Sequence, residues 1–305
     1  MSTLVWQSPR KSGGDHLELK HIAVRVGRLS SFLKNEMGMS TGLVNKLKWQ
    51  NKIFVNGVPE HNDFAVSVGN VITAQLDEPK PEYPAEEGEL TVIYEDEHIL
   101  AVEKPAGMLI HPSRATMQGT LANRVIAYYE KTGQKAAFHP ITRLDRDTFG
   151  IVLLAKNAHV HAKLTELQSQ GKIQKTYHAL TFGGPETNSG IIDAPIARRE
   201  LPSLLRYVNQ DGKPSVTEYR VLERRETACL LALRPITGRT HQLRVHCAYM
   251  GFPILGDPQY SSEESKAFSG KLGLKHQLLC AKSLEFPHPI TGEPMVLVSQ
   301  FRIEN

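Results

Sequence analysis

The sequence predicts an α+β protein built as two basic units with a short acidic segment between them. Three observations carry this. The 305 residues are about twice the ~150 of a typical domain. Charge is segregated: residues 1–76 hold 9 Lys/Arg and 5 Asp/Glu, residues 77–89 hold 1 and 6, and residues 90–305 hold 26 and 21. The first unit reads as two short helices followed by a hairpin, whereas the second contains long strand-like runs.

Within residues 1–76, Leu29, Phe32, Leu33 and Met37 recur at helical spacing, with Gly38 as the stop. Ser40 or Thr41 caps a second helix with Leu43, Val44 and Leu47 on its apolar face and Lys46 and Lys48 on polar positions. The β-favouring run from Lys52 to Glu60 turns at Asn56-Gly57, a strong hairpin signal. A further turn at Gly69-Asn70 lies among Val66, Val68, Val71 and Ile72. Residues 77–89 place Pro79, Pro81 and Pro84 beside six acidic residues. Proline lacks an amide donor and extends its predecessor, so this segment reads as a solvated, semi-rigid linker.

In residues 90–305, the apolar run Ile151 to Ala155 reads as a buried strand. Arg143, Asp145, Arg146 and Asp147 lie just before it, with Gly150 at the junction. Guanidinium groups can hold such a carboxylate ionised in a dry site; the same residues also suit a surface salt-bridge cluster. Further on, Leu243 and Val245 alternate with Gln242, Arg244 and His246, which predicts a strand carrying those three on one donor-rich face. Such a face suits a phosphate or a carboxylate. His241 and His246 are five apart with no third ligand at a sensible spacing, so no metal is expected.

Composition narrows the class. Hydrophobic residues are 40% and charged residues 22%, which excludes wholesale disorder. The net charge of +4 hints only weakly at an anionic partner. No apolar run approaches the ~18 residues of a membrane span, and the first residues have no apolar core of a secretory leader. Cys229, Cys247 and Cys280 form neither a C-x-x-C nor a disulfide pattern, which fits a cytoplasmic location.

Residues 24–76 resemble the alpha-L RNA-binding motif of ribosomal and RNA-modifying proteins. The matching residues are Gly27-Arg28-Leu29, Phe32-Leu33, Val55-Asn56-Gly57 and Val68-Gly69-Asn70-Val71-Ile72. That resemblance implies RNA contact through Arg28, Lys46, Lys48 and Lys52. The family's second helix usually opens with serine and arginine; here Ser40-Thr41-Gly42-Leu43 has no arginine, and lysines lack its bidentate fork.

Residues 90–305 closely resemble the RluA-type pseudouridine synthases. The resemblance rests on ordered motifs: Glu103-Lys104-Pro105-Ala106-Gly107, Arg143-Leu144-Asp145 with Asp147-Thr148 and Gly150, Lys175-Thr176-Tyr177, the run Thr237 to His246, Gly256-Asp257 with Tyr260, and His288-Pro289. It implies a mainly antiparallel mixed sheet with flanking helices, a basic cleft, and conversion of uridine in ribosomal or transfer RNA to pseudouridine. It implies no cofactor, and a monomer is expected.

The resemblance also implies roles. Asp145 is the essential carboxylate, either attacking the sugar or taking a ribose proton. Arg244 is its first-choice partner and Arg239 the second. Tyr177 stacks on the target base and accepts the C5 proton, directly or through a relay, and Arg143 fills the gap left by the flipped nucleotide or holds that nucleotide. Lys175, Arg239, His241, Gln242 and Lys104 are expected among the substrate contacts. Three departures stand out: Thr142 and Cys280 where histidine is usual, and Phe149 where serine or threonine is usual. Thr142 and Phe149 support the alternative of a non-catalytic RNA-binding protein that keeps the fold.

Overall fold

A computed structural model of the chain describes residues 16–39, 41–77, 83–113, 116–200, 203 and 205–303. In the first unit, the strand His16–Ile22 lies antiparallel to Val71–Asp77, whose other edge pairs with Ile53–Val55. Val55 pairs with Val58 across Asn56 and Gly57, whose φ values of 52° and 83° suit a two-residue hairpin loop. One α-helical turn, Leu29–Ser31, widens into a π turn, Phe32–Glu36, and ends before Gly38 at φ 65°. The second helix, Thr41–Trp49, buries Val44 and Leu47, with Leu43 against the same core. Ser40, one of the two expected caps, lies outside the described residues.

Two features of this unit differ from the sequence reading. The strand His16–Ile22 is too polar to stand out by periodicity, yet it buries Leu19 and His21. The Gly69-Asn70 turn links two sheets, because Ala65–Val66 pairs with Gly27–Arg28. The apolar core of the unit draws its members from residues 19–76.

The expected linker is largely exposed where it is described, but it is fastened to the second unit. The Asn123 amide donates to the Pro84 carbonyl at 2.8 Å, and Glu86 accepts from the Gly119 amide at 2.6 Å. Tyr83 packs edge-on against Phe138. Backbone polar groups and one aromatic ring thus fasten residues 83–89 to the second unit. Residues 78–82 lie outside the description.

The second unit is a ten-stranded sheet. From one edge the order is Ser189–Asp193, Val216–Arg224, Ala228–Pro235, Gln174–Phe182, Leu279–Pro287, Phe149–Ala155, Ile99–Lys104 and Thr91–Glu95. Pro294–Val298 pairs with Leu279–Pro287, and His139–Pro140 with Phe149–Ala155. Phe149–Ala155 runs parallel to Leu279–Pro287, and the other pairings among the described strands are antiparallel. The mainly antiparallel mixed sheet expected from the sequence is therefore present.

The neighbouring strands Ile99–Lys104 and Phe149–Ala155 are buried on both faces, as their apolar runs require. Ile99, Ala101, Ile151 and Leu153 pack on one side with Val160 and Leu164 of the helix Ala158–Ser169. Leu100, Val102, Val152 and Leu154 pack on the other with Leu121, Val125 and Ile126 of the helix Leu121–Lys131. Farther along the sheet, Leu243 and Cys247 of the helix Gln242–Tyr249 cover Leu231, Leu233 and Leu279.

That last helix corrects the strand expected over residues 242–246. Alternation misled because Gln242 to Cys247 are all buried, polar and apolar alike. With no solvent face, a period of two carries no information about which residues share a side. The helix instead places Leu243 and Cys247, four apart, on one apolar stripe.

Candidate active site

Sheet register assembles the site. Gly150 pairs with Ala281, and Ala281 pairs on its other edge with Tyr177. Three strands distant in sequence thus place the loop before Phe149–Ala155 beside the start of Gln174–Phe182. Gly150 permits this approach: its φ is 112°, and a Cβ there would meet the Ala281 carbonyl oxygen at 2.4 Å. The resulting cleft has a volume of about 650 Å³. Arg143, Asp145, Lys175, Tyr177, Arg239, His241 and Arg244 all line it.

Arg244 organises the charge. Its Nη1 donates to Asp145 Oδ2 at 3.1 Å, the pairing expected from the motif. Its Nε and Nη2 donate to the two oxygens of Asp257 at 2.7 and 2.8 Å, and Nη2 also donates to Gln259 Oε1 at 2.9 Å. The Arg244 side chain is 5% exposed and Asp257 is fully buried, whereas Asp145 is 31% exposed. Burial opposes the guanidinium charge, but the bonds and charges of Asp257 and Asp145 outweigh it and raise the Arg244 pKa. One carboxylate anchors the arginine from behind; the other faces the cleft.

His241 Nε2 stands 3.8 Å from Asp145 Oδ2. Its Nδ1 lies 2.8 Å from the Tyr260 hydroxyl, which accepts from the Arg206 backbone N–H at 2.9 Å. Burial lowers the His241 pKa against the opposing pull of Asp145. Across the cleft, burial and then the Asp145 charge push the Tyr177 phenol well above its ordinary value. The phenol therefore stays protonated at neutral pH. Lys175, lowered by burial, reaches the Gln168 amide oxygen at 2.9 Å. Arg143 and Arg239 are exposed at the rim, and Arg239 Nε donates to the Pro214 carbonyl at 3.2 Å.

Two expected substrate contacts are corrected. Lys104 is fully buried, and its Nζ donates to the carbonyls of Pro105, Met108 and Arg146 at 2.9, 2.8 and 2.8 Å. Its three donors match three acceptors, so it fastens the Asp145 loop from below; burial pushes its pKa down to about 7. Gln242 is equally occupied. Its oxygen accepts from Thr237 Oγ1 and the Arg239 amide at 2.8 and 3.0 Å. Its nitrogen donates to the Val216 carbonyl and Thr217 Oγ1 at 2.9 and 3.0 Å. It ties the turn that leads into the helix.

Asp257, Gln259, Tyr260 and Arg206 belong to the site but are missing from the expected set. Asp257 and Tyr260 lie in a motif that carries the resemblance, and a buried arginine demands a buried carboxylate somewhere. Arg206 acts through its backbone, which no side-chain pattern announces.

The departures from the motif concern packing. Buried Thr142 accepts the Leu153 amide at 2.9 Å, and Phe149 packs edge-on against Phe301. Buried Cys280 lies 3.8 Å from Ser299 Oγ, and its pKa is pushed up to about 11, chiefly by burial. His246 contacts Thr217 Oγ1 and the Ala194 carbonyl at 2.9 and 3.0 Å, away from His241. Among the described residues, no group of three His, Cys, Asp or Glu is arranged to hold a metal ion. Nor is any described helix long and apolar enough to cross a membrane.

The sheet thus presents an arginine-held aspartate and a tyrosine in one cleft lined by Arg143, Lys175 and Arg239. Residues 98–249 match the family described as RNA pseudouridylate synthase. A Bacillus subtilis protein named as the uncharacterized RNA pseudouridine synthase YlyB is 35% identical, over 87% of this chain and 88% of its own length. Ribosomal large subunit pseudouridine synthase C of Vibrio cholerae is 32% identical, over 88% of this chain and 87% of its own length. The solved structure of human RNA pseudouridylate synthase domain containing 4 superposes with a TM-score of 0.58 at 27% identity, covering 70% of this chain and 89% of that one. The chain belongs to the RluA-type RNA pseudouridine synthases, isomerases that convert uridine in RNA to pseudouridine.

Proposed function

We propose that this chain modifies uridines of ribosomal RNA, with Asp145 as the essential carboxylate. The observation that carries the roles is the single arginine shared between buried Asp257 and cleft-facing Asp145. The naming of a relative as a large-subunit enzyme supports the choice of RNA. In the isomerisation the C1′–N1 bond breaks, C1′–C5 forms, the C5 proton passes to solvent, and N1 takes up a proton. Arg244 keeps Asp145 anionic and aimed while RNA covers the cleft and strengthens charge interactions there.

Tyr177 supplies a stacking face rather than a phenolate. The target base is out of reach inside a helix and flips out at a cost of a few kcal/mol. Arg143, exposed at the rim, takes the vacated place. Lys175 and Arg239 contact the nucleotide or its phosphates. Residues 1–76 form a separate RNA-gripping domain through Arg28, Lys46, Lys48 and Lys52, with Lys48 Nζ 5.9 Å from the exposed Trp49 ring. Residues 90–305 form the catalytic domain. Phosphate contacts dominate the affinity, so binding falls steeply with salt.

The test is tritium release from RNA labelled at uridine C5. Asp145→Asn abolishes release while RNA binding persists; full release by that variant overturns the assignment. Chemical mapping of pseudouridine in RNA from cells with and without the gene identifies the target. Loss of a site in transfer RNA alone overturns the ribosomal choice.

A further inference from the structure

We propose that His241 is a positioning residue for Asp145, presenting a neutral N–H donor whose direction is set by the Tyr260 hydroxyl and the Arg206 amide. The inference rests on the proposed role of Asp145 and deepens it.

A backbone N–H can only donate. The Arg206 backbone N–H gives its proton to Tyr260 Oη at 2.9 Å. His241 Nδ1 lies 2.8 Å from the same oxygen, and in the proposed relay the hydroxyl turns its own proton toward that nitrogen. An imidazole that accepts at Nδ1 carries its proton on Nε2. That nitrogen faces Asp145 Oδ2 at 3.8 Å. The separation exceeds a hydrogen bond, and such contacts in empty sites commonly close when substrate arrives.

The backbone points the same way. Among the described residues, three that are not glycine have positive φ: Asn51, Asn56 and His241. Asparagine and histidine enter that region more readily than most residues, but any side chain held there carries a cost that its surroundings must offset. The Gln242 oxygen, which accepts from Thr237 Oγ1 and the Arg239 amide, holds the turn in place. The constraint aims the imidazole into the cleft. Tyr260 also presents its ring to Arg244, with the guanidinium carbon 4.9 Å from the ring centre. Tyr260 thus touches both residues that flank Asp145. Arg206 opens the strand Arg206–Val208, paired with Ile196–Arg198. The relay therefore fastens this hairpin to the carboxylate.

The test measures single-turnover tritium release and RNA affinity across variants. His241→Ala lowers the saturating rate on the order of 10- to 100-fold, the range for a hydrogen bond to a charged group. RNA affinity is unchanged, and His241→Gln, whose amide nitrogen reaches the Nε2 position, restores part of the rate. Tyr260→Phe frees the wrong tautomer and slows the reaction near pH 8. Because burial lowers the His241 pKa, its second proton arrives, and the donor returns, only as pH falls below the ordinary imidazole value of ~6.5. The rate of Tyr260→Phe relative to wild type therefore rises on acidification. The charged groups acting on His241 are Asp145 and Asp257, which favour that proton, and Arg244 and Arg206, which oppose it.

In the His241→Ala background, Tyr260→Phe has no further effect. Multiplying effects of the two changes overturn the relay, as does a pH-independent defect in Tyr260→Phe. Weakened RNA binding at full rate makes His241 a substrate contact and overturns the proposal. The pH recovery is read within one folded sample, so a stability loss cannot imitate it. Activity in Asp145→Asn instead removes the underlying assignment.

Discussion

Arg244 is shared by two carboxylates, and the structure assigns them opposite consequences on removal. Asp257 is fully buried and accepts four hydrogen bonds, from Arg244 Nε and Nη2 and from the Gln259 and Tyr260 amides. Asp257→Asn leaves a buried guanidinium facing an amide with one acceptor and one misplaced donor. Removing one member of a buried pair costs about 3–5 kcal/mol. At roughly 2–4 °C per kcal/mol for a large domain, melting falls on the order of 10 °C. Asp145 is 31% exposed, and its loss leaves Arg244 bound to Asp257. Screened, partly exposed pairs contribute about 0–1 kcal/mol. Asp145→Asn therefore melts within a few degrees of wild type, by the same scaling, while releasing no tritium. Calorimetry and tritium release on the two variants decide the matter. A large melting loss in Asp145→Asn with little in Asp257→Asn refutes the assignment of anchor and reactive group.

Three further outcomes follow from the same geometry. Tyr177→Phe keeps the stacking face, so its single-turnover rate and RNA affinity stay well above those of Tyr177→Ala. Because burial raises the phenol above its ordinary value, no basic limb from this tyrosine appears in the rate between pH 7 and 9, judged against the reference of ~10. Lys104→Met strands three backbone carbonyls and costs stability, about 1–3 kcal/mol for each group left unpaired, in thermal melts. RNA affinity is unchanged, whereas a substrate contact would lose it. Gly150→Ala drives a methyl into the Ala281 backbone and loses both stability and turnover, since Ala281 separates Gly150 from Tyr177 in the sheet. A wild-type melting curve from that variant contradicts the strand register.

The sequence carried the family through ordered motifs, and it carried local structure wherever one short segment suffices. Asn56-Gly57 turns because those two residues accept positive φ, and Ile151 to Ala155 is a buried strand because its run is apolar throughout. It also identified Asp145 and Arg244 as a pair, although they lie 99 residues apart.

Only the tertiary structure decided that residues 242–249 are helical, that Lys104 and Gln242 are fully occupied, and that Asp257 and Tyr260 complete the site. The physical reason is common to all three. Burial on every side erases the polar–apolar contrast on which periodicity depends. A buried donor is explained only by its acceptor, and the acceptors come from strands, turns and loops that meet through sheet register. Sequence determined which chemistry the chain carries; packing decided which of its polar residues face the cleft and which hold the others in place.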